Sequence, residues 1–265
     1  MRTERLTLSR WPKPLDSNAL KLIAILAMTA DHIAWAVWPG YSTDLPAVLL
    51  HIIGRLTCPV MCYCIAEGYH YTHDVRAYTR RLFLFAAVSH VPYMLQSQSF
   101  REFGALALLP FATGNGFFGH ILNQTGVIWS LAIGLLMLRV CDSERVRPAL
   151  KPFLVVLLCL LAFPADWSCI ASLCILAIGS NRGKPLAQFL WCLFYVSLYA
   201  LVYIFALSPL YGCLQFATVL SVPVIALYNG RRGRSPSLNR VMKWGFYLYY
   251  PLHLLVIGIL LLLCR

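Results

Sequence analysis

Asp31, His32, Arg55 and His253 stand inside runs of otherwise apolar sequence, AILAMTADHIAWAV, HIIGRLTCPV and YYPLHLLVIG. These residue types suit transfer of an acyl group to an amine or hydroxyl. An imidazole with an ordinary pKa near 6.5 takes and returns a proton at neutral pH. It can also carry the acyl group transiently itself. A fixed guanidinium stabilises the oxyanion of a tetrahedral intermediate, and Arg55 is the candidate. Asp31 and His32 are sequence neighbours, so on a helix their side chains diverge by about 100°. Asp31 is therefore assigned to Arg55, and His32 to the reacting groups. The plain alternative is that Asp31 and Arg55 only tie two helices together and that His253 packs.

The elements that must position these residues are membrane helices. Among 265 residues, hydrophobic types make up 60% and charged types 12%, about half the share usual in soluble domains. Together with a mean hydropathy of +0.69, this excludes a disordered tail, a disulfide scaffold and an ordinary soluble enzyme. Apolar segments run over roughly 19–39, 45–69, 82–96, 119–138, 152–164, 167–179, 186–206, 210–228 and 244–264. They predict an all-α, polytopic integral membrane bundle of about nine spans. The third, fifth and sixth are short, and GALALLPFA (104–112) is an interfacial or re-entrant piece. The charged residues 1–18 form a cytoplasmic N-terminal segment, not a signal peptide, and 19–265 form one transmembrane domain.

The net charge of +12 is topological rather than a sign of nucleic acid. With the N-terminus inside, the cytoplasmic loops hold Arg2, Arg5, Arg10 and Lys13; Arg76, Arg80 and Arg81; Arg139, Arg145, Arg147 and Lys151; Arg182 and Lys184; and Arg231, Arg232, Arg234, Arg240 and Lys243. Arg101 and Arg265 fall opposite, while Lys21 and Arg55 lie within spans.

In this frame Asp31 sits about 18 Å from the cytoplasmic edge and Arg55 about 15 Å deep from the outer one. His253 is about 13–14 Å from the inside, and His90 and Ser130 fall near mid-span. A charge at such depth costs about 2.5–3.5 kcal/mol, so convergence at one level points to a reaction centre or cavity. Pro59 lacks an amide hydrogen and clashes with the Arg55 carbonyl, so Gly54 and Pro59 loosen the helix beside Arg55. Pro251 does the same below His253. The ten cysteines lie mostly in apolar runs and act as small hydrophobes. No metal site is expected from Cys58, Cys62 and Cys64, and HYTHD (His70, His73) is a solvated helix end.

Five blocks in order resemble the TraX family, the F-pilin acetylases and their homologues. They are LKLIAILAMTADHIAWAV, HIIGRLTCPVMCYCIAEG, THDVRAYTRRLFLFAAVSHVPY, PADWSCIASLCIL, and LYNGRRG followed by KWGFYLYYPLHLLVIGIL. The resemblance covers about residues 18–262, and Asp166, Asn229, Gly230 and His253 match its pattern. His90 and Gly126 depart from it, where many homologues carry an acid and an asparagine. More distantly the chain is similar to membrane-bound acyltransferases that use a buried histidine.

The resemblance implies a bacterial inner-membrane enzyme that moves an acetyl group from cytoplasmic acetyl-CoA, its co-substrate, to an acceptor amine, the N-terminus of a conjugative pilin subunit. A glycan or other envelope hydroxyl is the alternative acceptor. A transporter or a non-enzymatic component of a conjugation machine is the alternative class. His32, Asp31, Arg55 and His253 are then the catalytic candidates. Arg76, Arg80, Arg81, Asn229, Arg231, Arg232 and Arg234 are candidates for the phosphates of CoA, which favour arginine forks. Asp166 and Trp167, in the turn between spans five and six, are placed on the acceptor side. The other reading of Asp166 is a helix cap. The nucleotide cannot enter hydrocarbon, so a passage from the cytoplasmic arginines to His32 is expected.

Overall fold

A computed structural model describes residues 12–97, 104 and 124–264. Arg2, Arg5, Arg10, Arg101, Arg265, residues 105–112 of the interfacial piece and the start of the fourth apolar segment lie outside the described residues. Among those described there are helices and no strands. Two isolated bridges, Leu15 with Tyr228 and Thr125 with Ala165, pin loops together.

Helix α1 (Ser17–Val37) starts where the Asp16 carboxylate accepts from the amides of Asn18 and Ala19, at 3.0 and 2.9 Å. These bonds occupy donors that a first turn cannot satisfy internally. The second apolar segment divides into α2 (Leu45–Gly54) and α3 (Thr57–Tyr71). The break falls at Arg55 and Leu56, where Pro59 denies the Arg55 carbonyl a helical partner. Helix α4 (Val75–Gln96) follows, capped by Asp74. Then come α5 (Val127–Asp142), α6 (Lys151–Ala162), α7 (Ser168–Ser180) and α8 (Pro185–Ala206).

The segment expected as one span over 210–228 is three short pieces. These are α9 (Pro209–Leu214), a 3-10 turn (Gln215–Leu220) and α10 (Ser221–Ala226). Gln215 and Pro223 interrupt its apolar run. Helix α11 (Pro236–Leu263) closes the chain, with Ser235 capping it and Pro251 inside it.

Among the described residues five stretches are long and apolar enough to cross a membrane: 17–37, 45–71, 185–206, 209–226 and 236–263. The nine-span count is therefore not carried by helix length. Helices α6 and α7, of 12 and 13 residues, reach only about 18–20 Å against a hydrocarbon core of about 30 Å. Helix α7 is nonetheless central, because α3, α5, α6 and α8 all pack on it. A Cβ at Gly134 would lie 2.9 Å from the Ser172 backbone, so α5 and α7 touch along a glycine. Beside it, the Ser130 hydroxyl donates to Ser168 O at 2.5 Å and the Ser172 hydroxyl to Ser130 O at 2.6 Å, with the two hydroxyl oxygens 3.1 Å apart. Ser130 thus joins helices and does not line the main cavity.

The core runs through Cys62, Leu131, Leu135, Ile175 and Leu254. The outward faces carry Leu26, Phe153 and Phe205, the last 84% exposed. Such an apolar exterior belongs against lipid rather than water.

Two clamps hold the loops that matter for the site. Ser17 N donates to Arg231 O at 2.9 Å and Asn229 N to Leu15 O at 2.9 Å. The Asn18 amide reaches Asn239, whose own amide donates to Gly233 O, each at 2.7 Å. The loop carrying Arg232 is thereby fixed over the start of α1. At the far end, Gln124 N donates to Pro164 O and Asp166 N to Thr125 O, both at 2.8 Å. This fixes the turn that carries Asp166 and Trp167.

Candidate active site

A charged cluster forms where the break between α2 and α3 meets α1. Arg55 Nη2 donates to Asp31 Oδ1 at 3.0 Å, and His51 Nδ1 lies 2.9 Å from the same oxygen. Arg55 Nη1 donates to Gln215 Oε1 at 3.1 Å. Its guanidinium also lies 5.5 Å from the Trp167 ring centre. The close approach depends on Gly54, because a Cβ there would stand 2.4 Å from Asp31. Gly54→Ala is expected to push α1 away from the break and to lower the melting temperature in detergent, at an overpacking cost of about 1–3 kcal/mol. Gly245→Ala, whose Cβ meets open space, should leave melting unchanged or raise it.

His32 and His253 form the second half of the site. His32 Nδ1 and His253 Nε2 are 2.7 Å apart, and His253 Nδ1 is 2.8 Å from the Tyr249 carbonyl oxygen. A carbonyl only accepts, so His253 Nδ1 is assigned the hydrogen. In the neutral pair His253 Nε2 then accepts from His32 Nδ1. The lone pair left over is on His32 Nε2. Tyr249 stacks on the His253 ring at 4.9 Å, and its hydroxyl meets Thr29 Oγ1 at 2.7 Å. The Thr29 hydroxyl itself donates to Ile25 O, so Tyr249 is the donor to Thr29. The two imidazoles are thus held in one orientation.

A cavity of about 690 Å³ joins this cluster to the basic end of the bundle. Lys21, Arg81, Arg232, Asn239 and Lys243 line it at one end, and Asp31, His32, Arg55, Asp166, Trp167 and Tyr250 at the other. Its size is that of small-molecule sites. From Ser17 to His32, both on its wall, α1 rises about 22 Å.

The candidate residues separate accordingly. Arg81 and Arg232 line the cavity, whereas Arg76, Arg80, Arg231 and Arg234 are exposed and do not. Asn229 does not line it either, and its Oδ1 accepts from the Arg231 amide. Asp166 and Trp167 share the cavity with His32 and Arg55 rather than forming a separate entrance. Asp166 is not the cap of α7. Trp167 holds that position, with φ of 60°, and Ser168 follows at 48°. Two left-handed non-glycine residues in sequence are costly backbone, of the kind kept beside functional sites. Among the described residues no cluster of three His, Cys, Asp or Glu could hold a metal.

Residues 16–261 match the family described as TraX protein. The chain belongs to the TraX family. It is similar to a probable fimbrial assembly protein FimC, serogroup H1, of Dichelobacter nodosus, at 29% identity over 241 residues, covering 89% of this chain and 91% of that protein. No solved structure matches.

For this TraX chain the structure adds residues that sequence reading did not select. His51 is fully buried between Trp35 and Tyr211, with ring centres at 4.8 and 5.2 Å. Gln215 is 1% exposed and holds Arg55. The signal for His51 was its place four residues before Arg55, which puts both on one helical face. The signal for Gln215 was a lone amide in an apolar run. Beyond His51, Trp35, Tyr41, Tyr203 and Tyr211 meet edge to face or tilted and fill the side away from the cavity.

Proposed function

We propose that this protein is a membrane acetyltransferase that takes its acetyl group from acetyl-CoA on the cytoplasmic side and delivers it to an amine of a fimbrial or pilin subunit. The observation that carries the reading is the cavity shared by the basic residues Lys21, Arg81, Arg232 and Lys243 and the His32–Arg55 cluster. The basic end is cytoplasmic by the distribution of Lys and Arg. The nucleotide stays at that mouth and the pantetheine arm extends inward. The family, and a relative named as a probable fimbrial assembly protein, support an envelope acceptor.

The chemistry follows from the atoms. The acceptor amine loses a proton to His32 Nε2 as its nitrogen bonds to the thioester carbon. The carbonyl oxygen becomes an oxyanion opposite Arg55. Of the five N–H groups of Arg55, one is held by Asp31, one by Gln215, and Nε lies 3.4 Å from His51 O, so hydrogens remain for that oxyanion. Collapse breaks the carbon–sulfur bond, and the proton on His32 passes to the leaving thiolate. The products are an acetylated amine and CoA.

The test is release of CoA thiol from acetyl-CoA by the purified protein in detergent, screened over peptide amines and sugars. Acetyl-CoA should also raise the melting temperature. No turnover with any acceptor and no stabilisation would refute the reading. Replacing Arg81, Arg232 and Lys243 together with glutamine should raise KM for acetyl-CoA by about tenfold or more with kcat little changed, because these residues meet the substrate and not the reacting atoms. Replacing Arg76, Arg80, Arg231 and Arg234 should move KM far less. Equal effects from the two sets would show that the cavity is not the donor route.

A further inference from the structure

A second chamber of about 280 Å³ adjoins the first. Its wall is apolar: Pro59 and Cys62 of α3, Ile178 of α7, Phe189, Leu193 and Val196 of α8, and Val219, Val222 and Ile225 of the broken segment after α9. Four of the polar side chains in that wall are turned to the backbone. The Gln188 amide donates to Ile178 O at 2.9 Å, Thr218 to Gln215 O at 2.8 Å, Ser221 to Thr218 O at 2.7 Å, and the Cys62 thiol to Ala171 O at 3.4 Å. A polar ligand would find few hydrogen bonds here, whereas hydrocarbon needs none. Val219 and Val222, 42% and 41% exposed, stand at the rim, so the chamber meets the lipid-facing surface.

One end differs. Lys13 and Pro185 line it, and Lys13 is the one charged residue on the wall. Pro185 opens the 22-residue helix α8, whose N-cap, Lys184, makes no side-chain capping bond. A lysine beside an uncapped helix N-terminus attracts a phosphate. An apolar shaft with a cationic mouth, both at the surface of a membrane bundle, matches an anionic phospholipid.

We propose that this chamber is a lipid site, holding one acyl chain of an anionic phospholipid from the leaflet at the basic end, with its phosphate at Lys13. Cys58, Tyr63, Trp167 and Tyr228 line both chambers. The bound chain therefore backs the Trp167 ring on which Arg55 rests. The lipid is a structural partner of the site and not a reactant.

The experiment uses the full chain in nanodiscs with phosphatidylglycerol carrying a mid-chain diazirine. After irradiation, labelled peptides are mapped by mass spectrometry. Label should concentrate on 185–196 and 218–228, severalfold above the outward-facing peptides of α6. Val196→Trp, which fills the shaft, should bring it to that background. Val222→Trp at the rim serves the same purpose should the buried variant not remain monodisperse. Lys13→Gln should lower phosphatidylglycerol labelling about fivefold, the fold-change of one lysine near an anionic surface.

Labelling spread evenly over the exterior, or unchanged in the tryptophan variants, would overturn the site. Equal labelling by phosphatidylcholine of the same chain would overturn its anionic character. None of these outcomes depends on acetyl-CoA, so they stand apart from the proposed reaction.

Discussion

His32→Ala is expected to abolish acetyl transfer, by about 10³-fold or more, while the protein inserts, purifies and melts much as before. General base catalysis is ordinarily worth about 10²–10⁴-fold. His32 is also the group whose free nitrogen would meet the acceptor, because its Nδ1 is committed to His253. His253→Gln should do less. A glutamine carbonyl can still accept from His32 Nδ1 and keep that tautomer, but it cannot carry positive charge when His32 is protonated. A loss of about 10–100-fold, with KM for acetyl-CoA unchanged, is expected for such a positioning residue. The measurement is kcat for both variants under saturating acetyl-CoA. Near-normal turnover in His32→Ala would remove it as the base. A larger loss in His253→Gln than in His32→Ala would exchange their roles.

The residues most legible in the sequence were those that membrane physics makes expensive. Asp31, Arg55 and His253 stood out because charged and polar groups are rare at helix centres. The interruption at Arg55 was legible in Gly54 and Pro59, whose backbone chemistry is local. The fold class followed from hydropathy. The number of spans did not, because hydropathy marks apolar runs without distinguishing a crossing helix from a short one buried by neighbours. Helix α7, enclosed on several sides, reads as apolar as α8, which presents Leu186, Phe194 and Phe205 to the exterior.

Arginines read ambiguously for a different reason. Positive charge that sets topology and positive charge that meets a ligand use the same letters. Only the fold separates Arg81 and Arg232 from Arg76, Arg80, Arg231 and Arg234. Gln215 and His51 were missed because their importance lies in what they touch. Gln215 is 160 residues from Arg55 in sequence, and no local pattern announces a contact at that separation.

Arg55 and Asp31 test whether the cluster is chemistry or scaffolding. Arg55→Leu leaves the Asp31 carboxylate with His51 alone, and it also leaves Gln215 Oε1 without its donor. Breaking a buried pair from one side costs about 3–5 kcal/mol. The single variant should therefore melt markedly lower and be inactive under either view. Adding Asp31→Asn removes the uncompensated charge, and the asparagine carbonyl still accepts from His51 Nδ1. The double variant should recover most of the lost stability, since replacing both partners of a buried pair is often neutral.

Activity is the discriminating readout. If Arg55 stabilises the oxyanion, the double variant stays inactive at full stability, with a loss of about 10²–10³-fold in kcat, the measured scale for removing one such donor. If Arg55 only ties α1 to the helix break, activity returns together with the melting temperature. Arg55→Lys separates charge from geometry. A lysine ammonium restores the charge opposite Asp31, but it has three donors on a point charge and cannot serve Asp31, Gln215 and an oxyanion in one plane. Stability restored with kcat still depressed is the result expected from the fork by which Arg55 bonds Asp31 and Gln215.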